Sequence, residues 1–438
     1  MKQLIITASF LFLSTFGIAQ NLNTNRLDSL FLLLEQNDKF MGSIAVSYNG
    51  NTIYENTIGF LSFEDSLKSD HETKYRIGSI SKMFTSVLIL KAIEESKLKL
   101  NQKLKDFYPE ITNSEVITIE NMLNHSSGIH DFTRNEDYLM WNQRQQPKDS
   151  MLQRISSYSS DFEPATESEY SNSNFVLLTY ILEDIYKKSF KDLLYEKITG
   201  PLSLKNTTYG NRIDPLNNEA YSYSYLGKWT KSSETDMSIP QGAGAIVSTP
   251  TDLNIFLKSL FENELISDES LKQMKTIENG FGLGLLRFPY NNEWSFGHTG
   301  GIDGFEAVSS YFPEDKLAIS LLSNGVNFNK NDILLAVLGS FYGDEFKLPE
   351  FRKIDLKASE LEPFVGTYSS EQIPPKITIS MEENTLLAQA TGQPAFPLDA
   401  ISKNMFVYDK AGVEIEFKAE TEEMILKQAG QEFIFIKE

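Results

Sequence analysis

The strongest restriction on the fold is a change in hydrophobic period that occurs along the chain. Strand-like runs occupy residues 43–54, helical repeats follow, and a period of two returns over 306–323. The dipeptide Asn49-Gly50 tolerates positive φ angles and predicts a hairpin in the first region. Turn-forming residues 313–315 separate two strands in the second region. The pattern predicts an α+β fold, in which an antiparallel sheet receives strands from both ends of the segment and is flanked by helices.

Three segments between and beside these strands carry apolar residues at helical spacing. The third of them begins at Thr249-Pro250, and proline is favoured in the first turn of a helix. We therefore predict amphipathic helices around three groups of residues: Leu27, Leu30, Phe31 and Leu34; Leu178, Ile181, Leu182 and Ile185; and Leu253, Phe256, Leu257 and Leu260.

The chain divides into two predicted domains after a leader. A last helical pattern, 333–341, is followed by Leu348-Pro349 and a charged stretch, so we place a boundary between about 345 and 360. Beyond it, short alternating runs bounded by turn residues predict a small all-β barrel or sandwich. The predicted domains are residues 20–350 and 360–438.

The N-terminus has the pattern of a secretory signal peptide. Lys2 precedes an apolar run over 4–18, and Gly17 and Ala19 are the small residues expected before a cleavage site. An uncleaved anchor is the alternative, although about 15 apolar residues are fewer than the roughly 20 that a spanning helix needs. We predict that residues 1–19 are removed and that the protein is exported, periplasmic or secreted, without stable membrane insertion.

Composition excludes several classes of function. Sixty acidic residues against forty basic ones give a formal charge of -20, which disfavours nucleic acid as a partner. The chain has no cysteine, so thiolate nucleophiles and Cys-built zinc sites are excluded. Its four histidines include no pair suited to a metal, and we interpret His125 as a structural loop residue. We therefore predict neither a metal nor a cofactor.

The first candidate for chemistry is Ser79 with Lys82. If a helix begins near Ser79, the amine three residues later lies one turn along the same face and reaches the hydroxyl. A serine hydroxyl is a poor nucleophile until a base takes its proton, and a lysine serves as that base only when its pKa is lowered. The pattern is loose, because Ser96 and Lys99 also match it in what looks like a solvated helix end.

Two further motifs follow in the chain. Tyr170-Ser171-Asn172 precedes the second predicted helix, and Gly297-His298-Thr299-Gly300-Gly301 leads towards the late strands. Each is common by chance, and Tyr-x-Asn recurs at Tyr54, Tyr209 and Tyr290. Taken singly, each is compatible with a capping, turn or glycine-loop role.

Taken together and in this order, the three motifs resemble those of the class C β-lactamase and D-alanyl-D-alanine peptidase family, over residues 22–345. The resemblance implies an antiparallel sheet covered by helices, a mostly helical subdomain and a cleft between them. It implies the following roles: Ser79 as nucleophile, Lys82 and Tyr170 as shared general base, Asn172, His298, Thr299, Gly300 and Gly301 in substrate binding, and the backbone N–H groups of Ser79 and Gly301 as oxyanion hole. The C-terminal part, with Val365-Gly-Thr-Tyr368 and Leu387-Ala-Gln-Ala-Thr-Gly-Gln-Pro394, resembles the lipocalin-like barrel often appended to such hydrolases.

His298 stands where many relatives carry lysine. The resemblance leaves two roles for it, binding a substrate carboxylate when protonated or relaying a proton to Tyr170. Three functions remain open: a peptidase, amidase or esterase acting on small D-amino-acid peptides, amides or esters; a β-lactamase; and a non-catalytic binding protein on a hydrolase scaffold. The first is favoured, and the sequence does not predict an oligomeric state.

Overall fold

A computed structural model describes residues 22–418, 420–428 and 430–438, and an antiparallel sheet lies at the centre of its larger part. The predicted signal peptide, residues 1–19, lies outside the described residues. The strands before the barrel are β1 (Phe40–Tyr48), β2 (Asn51–Ile58), β3 (Phe60–Ser62), β4 (Leu67–Lys68), β5 (Tyr75–Arg76), β6 (Thr208–Tyr209), β7 (Tyr223–Tyr225), β8 (Trp229–Lys231), β9 (Ile246–Ser248), β10 (Leu286–Tyr290), β11 (Glu293–Ile302), β12 (Phe305–Phe312) and β13 (Leu317–Val326).

The main sheet has the order β10-β11-β12-β13-β1-β2, so the two strand-like regions of the sequence meet in its middle. β1 pairs with β13 from Phe40 opposite Val326 to Tyr48 opposite Leu317. The β1–β2 turn carries Asn49 and Gly50 at φ 50° and 76°, the positive values that the dipeptide predicts. The predicted α+β fold with an antiparallel sheet is confirmed.

Helices cover both faces of this sheet and form a subdomain beside it. They are α1 (Thr24–Gln36), α2 (Ser81–Glu94), α3 (Ile119–Leu123), α4 (Tyr138–Trp141), α5 (Lys148–Ser156), α6 (Asn172–Tyr186), α7 (Phe190–Leu194), α8 (Pro250–Phe261), α9 (Asp268–Lys275), α10 (Lys330–Tyr342) and α11 (Ala358–Leu361). α1 and α10 pack on one sheet face, and α8 packs on the other. α2 is buried on nearly all sides from Ser81 to Leu90, so the helix that follows Ser79 runs through the core.

The C-terminal part is a closed antiparallel barrel of eight strands. Of the two predicted alternatives, a barrel or a sandwich, the structure shows the barrel. The strands are β14 (Gly366–Ser369), β15 (Ile377–Glu382), β16 (Thr385–Ala390), β17 (Phe396–Ala400), β18 (Met405–Tyr408), β19 (Val413–Lys418), β20 (Glu423–Gln428) and β21 (Gln431–Lys437). Its core contains an aromatic cluster, in which Phe364 stacks on Phe417 at a centroid distance of 4.5 Å and Phe406 packs edge-on against both.

Ion pairs join the barrel to the sheet. Lys39, just before β1, lies 3.0 Å from Asp399 and 2.8 Å from Asp409, and its side chain is only 7% exposed. On β12, Glu306 bonds Lys410 of the barrel at 2.7 Å. The barrel therefore contacts the sheet at two of its central strands.

In the described part of the chain, none of the helices combines the length and apolar character needed to cross a bilayer.

Candidate active site

Ser79 lies in a single 3-10 turn, Gly78–Ile80, and α2 begins directly after it. Gly78 has φ +51°, and a Cβ at this position would lie within 3 Å of backbone atoms of Gly301 on β11. A side chain here would push the Ser79 turn away from that strand. Helical structure therefore begins at Gly78 and continues as α2 from Ser81, near Ser79 as predicted. A glycine brings the serine turn and β11 into contact.

Lys82 is fully buried one turn further on, and its amine contacts three oxygen atoms. Nζ lies 3.0 Å from Ser79 Oγ, 2.8 Å from Asn172 Oδ1 and 2.8 Å from the backbone oxygen of Ala243. Burial lowers the pKa of Lys82 to about 7, and the nearby charge of Asp131 opposes this effect. A neutral amine donates two hydrogen bonds and accepts one. The oxygens of Asn172 and Ala243 accept hydrogen bonds from the two N–H groups of the amine. The nitrogen lone pair then faces the Ser79 hydroxyl.

Tyr170 contacts the same serine oxygen from the other side. Its hydroxyl donates to Ser79 Oγ at 2.6 Å. Burial raises the pKa of Tyr170 well above the usual value of 10, so the phenol is protonated at neutral pH. The structure therefore brings Ser79, Lys82 and Tyr170 together as one hydrogen-bonded group.

His125 holds this tyrosine in place. The imidazole stacks on the Tyr170 ring at a centroid distance of 4.5 Å, and its Nδ1 accepts a hydrogen bond from the backbone N–H of Ser171 at 3.1 Å. Burial, with a further contribution from the charge of Lys82, lowers the pKa of His125 well below 6.5. The ring is therefore neutral and free to accept that bond, in line with the structural role predicted for it.

Asp131 belongs to this site, and the sequence analysis missed it. Its buried carboxylate accepts from Asn172 Nδ2 at 3.0 Å, and it also accepts from the backbone N–H and hydroxyl of Thr133. The bond fixes the Asn172 amide so that Oδ1 faces Lys82. An available signal was the position of Asp131, six residues after His125 and followed two residues later by a threonine that an Asx turn accommodates.

The segment 298–301 lies on β11, and only its last residue lines the cavity beside Ser79. Gly300 packs on Ile77, since a Cβ there would lie 2.0 Å from the Ile77 oxygen. His298 is buried, with Nδ1 2.5 Å from the backbone oxygen of Thr299. Burial and the charge of Lys82 lower the pKa of His298 to about 3, so the ring is neutral at pH 7. No group of three or more potential metal ligands occurs among the described residues.

A buried ion pair anchors the turn that follows Gly301. Arg76 on β5 donates to the Asp303 carboxylate at 2.8 Å, and both side chains are 2% exposed. The other carboxylate oxygen accepts from the backbone N–H and the hydroxyl of Thr235 at 2.9 and 2.8 Å. The wall of the cavity next to Ser79 is thereby tied to the strand that leads into the serine turn.

Comparisons with known proteins identify a family and several relatives. A family model described as Beta-lactamase matches residues 34–339, more than half of the chain. A penicillin-binding protein of Bacillus subtilis (strain 168) is 26% identical over 428 residues, covering 89% of this chain and 93% of that protein. A teichoic acid D-alanine hydrolase of Staphylococcus aureus (strain MRSA252) is 26% identical over 233 residues, covering 53% of this chain and 57% of that protein.

Solved structures show the same fold. A D-amino acid amidase from Ochrobactrum anthropi SV3, crystallised with L-phenylalanine amide, has a TM-score of 0.64 at 22% identity and covers 73% of this chain and 99% of its own. An octameric penicillin-binding protein homologue from Pyrococcus abyssi has a TM-score of 0.64 at 22% identity, and the match covers 94% of this chain and 100% of that chain.

Proposed function

The chain belongs to the beta-lactamase family of serine hydrolases, and from that premise we propose that it cleaves small acyl compounds through an acyl-enzyme on Ser79. One observation carries this proposal. Ser79 Oγ lies 3.0 Å from Lys82 Nζ and 2.6 Å from Tyr170 Oη, so one group is placed to take the serine proton and another to pass a proton to a leaving group. A binding protein has no need of a buried amine with a pKa near 7 beside a serine.

In acylation, the neutral amine of Lys82 takes the hydroxyl proton while Ser79 Oγ forms a bond to the carbonyl carbon. The carbonyl oxygen becomes an oxyanion, which we assign to the backbone N–H groups of Ser79 and Gly301 because both residues line the same cavity. Tyr170 donates its phenolic proton to the leaving nitrogen or oxygen as that bond breaks, and it regains a proton from Lys82. Water attack on the resulting ester repeats these transfers and frees the serine.

We propose peptides, amides or esters of D-amino acids, or related small acyl compounds, as substrates. The names of two relatives support this choice, since one is a teichoic acid D-alanine hydrolase and another a D-amino acid amidase. An acyl-enzyme mechanism accepts either an amine or an alcohol as leaving group. The leader pattern over residues 1–19 supports the further proposal that the protein acts outside the cytoplasm.

The test is covalent labelling of Ser79 by a fluorophosphonate, followed by peptide mass analysis and by turnover of D-alanyl amides, p-nitrophenyl esters and a chromogenic cephalosporin. Ser79→Ala is expected to abolish labelling and to lower turnover by at least about a thousandfold. Ser96→Ala is the matched control, because Ser96 and Lys99 repeat the motif on an exposed turn after α2. Labelling that persists in Ser79→Ala would refute the assignment of the nucleophile.

A further inference from the structure

The cavity beside Ser79 has a volume of about 470 Å³, and its wall carries little charge. It combines hydroxyl groups, such as those of Ser233, Thr133 and Tyr138, with the apolar side chains of Phe132 and Leu139. Among the described residues that line it, Asp303 is the only one with a charged side chain. That carboxylate is 2% exposed and bound by Arg76, so it presents no charge to a ligand.

The cationic side chains near the cavity already form hydrogen bonds or ion pairs with other groups of the protein. The amine of Lys82 is surrounded by Ser79, Asn172 and Ala243, which account for its three hydrogen-bond positions. The guanidinium of Arg76 bonds Asp303 and two backbone oxygens. His298 does not line the cavity and is held neutral by burial.

Other basic residues lie nearby, outside this cavity, and have carboxylates beside them. Arg134 bonds the Glu169 carboxylate and the backbone oxygen of Tyr170, and it does not line the cavity. A neighbouring cavity contains Arg212 and Lys231, but the carboxylates of Glu234 and Asp236 line it as well.

From this wall we infer that the site selects substrates whose groups next to the scissile bond are uncharged, such as amides and esters, and discriminates against a free carboxylate there. A carboxylate that enters a partly desolvated cleft without a cation loses hydration and gains no ion pair. The formal charge of -20 further opposes the approach of an anion. The inference rests on the proposed function, because it describes the substrate of the same Ser79 site.

Protection against fluorophosphonate labelling tests the inference without requiring turnover. The two competitors are N-acetyl-D-alanyl-D-alanine and its C-terminal amide, which differ only in the terminal carboxylate. The amide is expected to halve the labelling rate at a concentration about tenfold lower than the acid. Protection by the acid at an equal or lower concentration, or by neither compound, would overturn the inference while labelling itself upheld the proposed function. If Ser79 were not labelled at all, the proposed function would fail first.

A charge placed on the wall provides a second measurement. Ser233 is exposed and lines the cavity, so Ser233→Lys adds an ammonium group without disturbing the core, and Ser233→Met is a control of similar length. Ser233→Lys is expected to improve protection by the acid about tenfold relative to Ser233→Met, with little change for the amide. Equal protection by the acid in both variants would show that a missing cation is not the cause of the preference, which overturns the inference.

Discussion

The proposed chemistry depends on Lys82. The carboxylate of Asp131 affects the charge of this residue through the side-chain amide of Asn172. Asp131 does not bond Lys82 directly. Its carboxylate bonds the amide of Asn172, and the amide oxygen contacts the amine. A direct ion pair would favour the ammonium form, whereas an interposed amide weakens the attraction. Burial therefore remains the larger effect, and the amine is neutral in part of the population near pH 7.

This arrangement predicts the pH dependence of activity. The neutral amine is the reactive form, so kcat/KM should rise with pH through about 7, the pKa of Lys82. The charge of Asp131 raises this pKa, and Asp131→Asn removes the charge while keeping an acceptor for Asn172. The variant should lower the pKa of Lys82 and move the acidic limb of the kcat/KM profile to lower pH.

Asp161→Asn serves as the control for that experiment. It also removes a carboxylate, but Asp161 bonds His130 at 2.8 Å and has no contact with Lys82. If the acidic limb of the kcat/KM profile of Asp131→Asn stays in place or moves to higher pH, the electrostatic role assigned to Asp131 is contradicted.

Local spacing pointed to Ser79 and Lys82, and the family resemblance added Tyr170 and Asn172, but neither pointed to Asp131. Ser79 and Lys82 are three positions apart, and this spacing can be read directly from the sequence. Asp131 and Asn172 are separated by 41 positions and meet only because α6 begins at Asn172 beside the loop that contains Asp131. No periodicity encodes such a contact.

At the scale of secondary-structure elements, close packing between β11 and the strand-and-turn segment that ends in Ser79 shapes the site. Two glycines permit it: Gly78 faces the backbone of Gly301, and Gly300 faces the carbonyl of Ile77. The distance between the serine and the wall of the cleft is therefore set by backbone contact, which is stiffer than contact between flexible side chains.

Gly300→Ala tests this packing. Its Cβ would lie 2.0 Å from the Ile77 oxygen, a separation that forces the strand and the turn apart, so we expect a loss of about 1–3 kcal/mol in the free energy of unfolding. Gly301→Ala is the control for stability, because a Cβ there meets no protein atom within 4 Å. Thermal or urea unfolding measures both variants. Equal stability of the two would show that the contact does not hold β11 in position.

Elements with a clear period were predictable, and short ones were not. Leu27, Leu30, Phe31 and Leu34 are all buried on α1, as their spacing indicates. β5, β6 and β9 contain two or three residues each, too few to display alternation, yet β5 leads into the serine turn and pairs with β9. Such strands depend on pairing partners that are distant in sequence, so only the three-dimensional structure reveals them.

At the scale of the whole molecule, the buried Lys39 makes one of the two ion-pair connections between the barrel and the sheet. Lys39 lies between Asp399 and Asp409, whose side chains are 22% and 25% exposed. The two carboxylates raise the pKa of Lys39 despite its burial, so it is charged at neutral pH. Without Lys39, the partly buried Asp409 would lose its cationic partner, and Asp399 would keep only Lys353, which lies 2.8 Å away.

Lys39→Met should therefore loosen the barrel from the sheet. We expect a loss of about 2 kcal/mol, less than for a fully buried pair because the aspartates are partly hydrated, and a separate early unfolding transition for the barrel in calorimetry. Lys376→Met is the control, since it breaks a largely exposed pair with Glu438 within the barrel and should cost less than about 1 kcal/mol. A single transition at the temperature of the unmodified protein would show that Lys39 does not hold the two parts together.

The place of β1 in the main sheet determines when the chain can fold during its synthesis. β1 comes from residues 40–48 but lies between β2 and β13, and β13 ends at Val326. Until that segment has left the ribosome, the β1–β2 hairpin cannot be joined to β10, β11 and β12, because β13 lies between the two groups of strands. A two-stranded hairpin alone is marginal in water. The main sheet can therefore close only after about three quarters of the 438 residues have been synthesised.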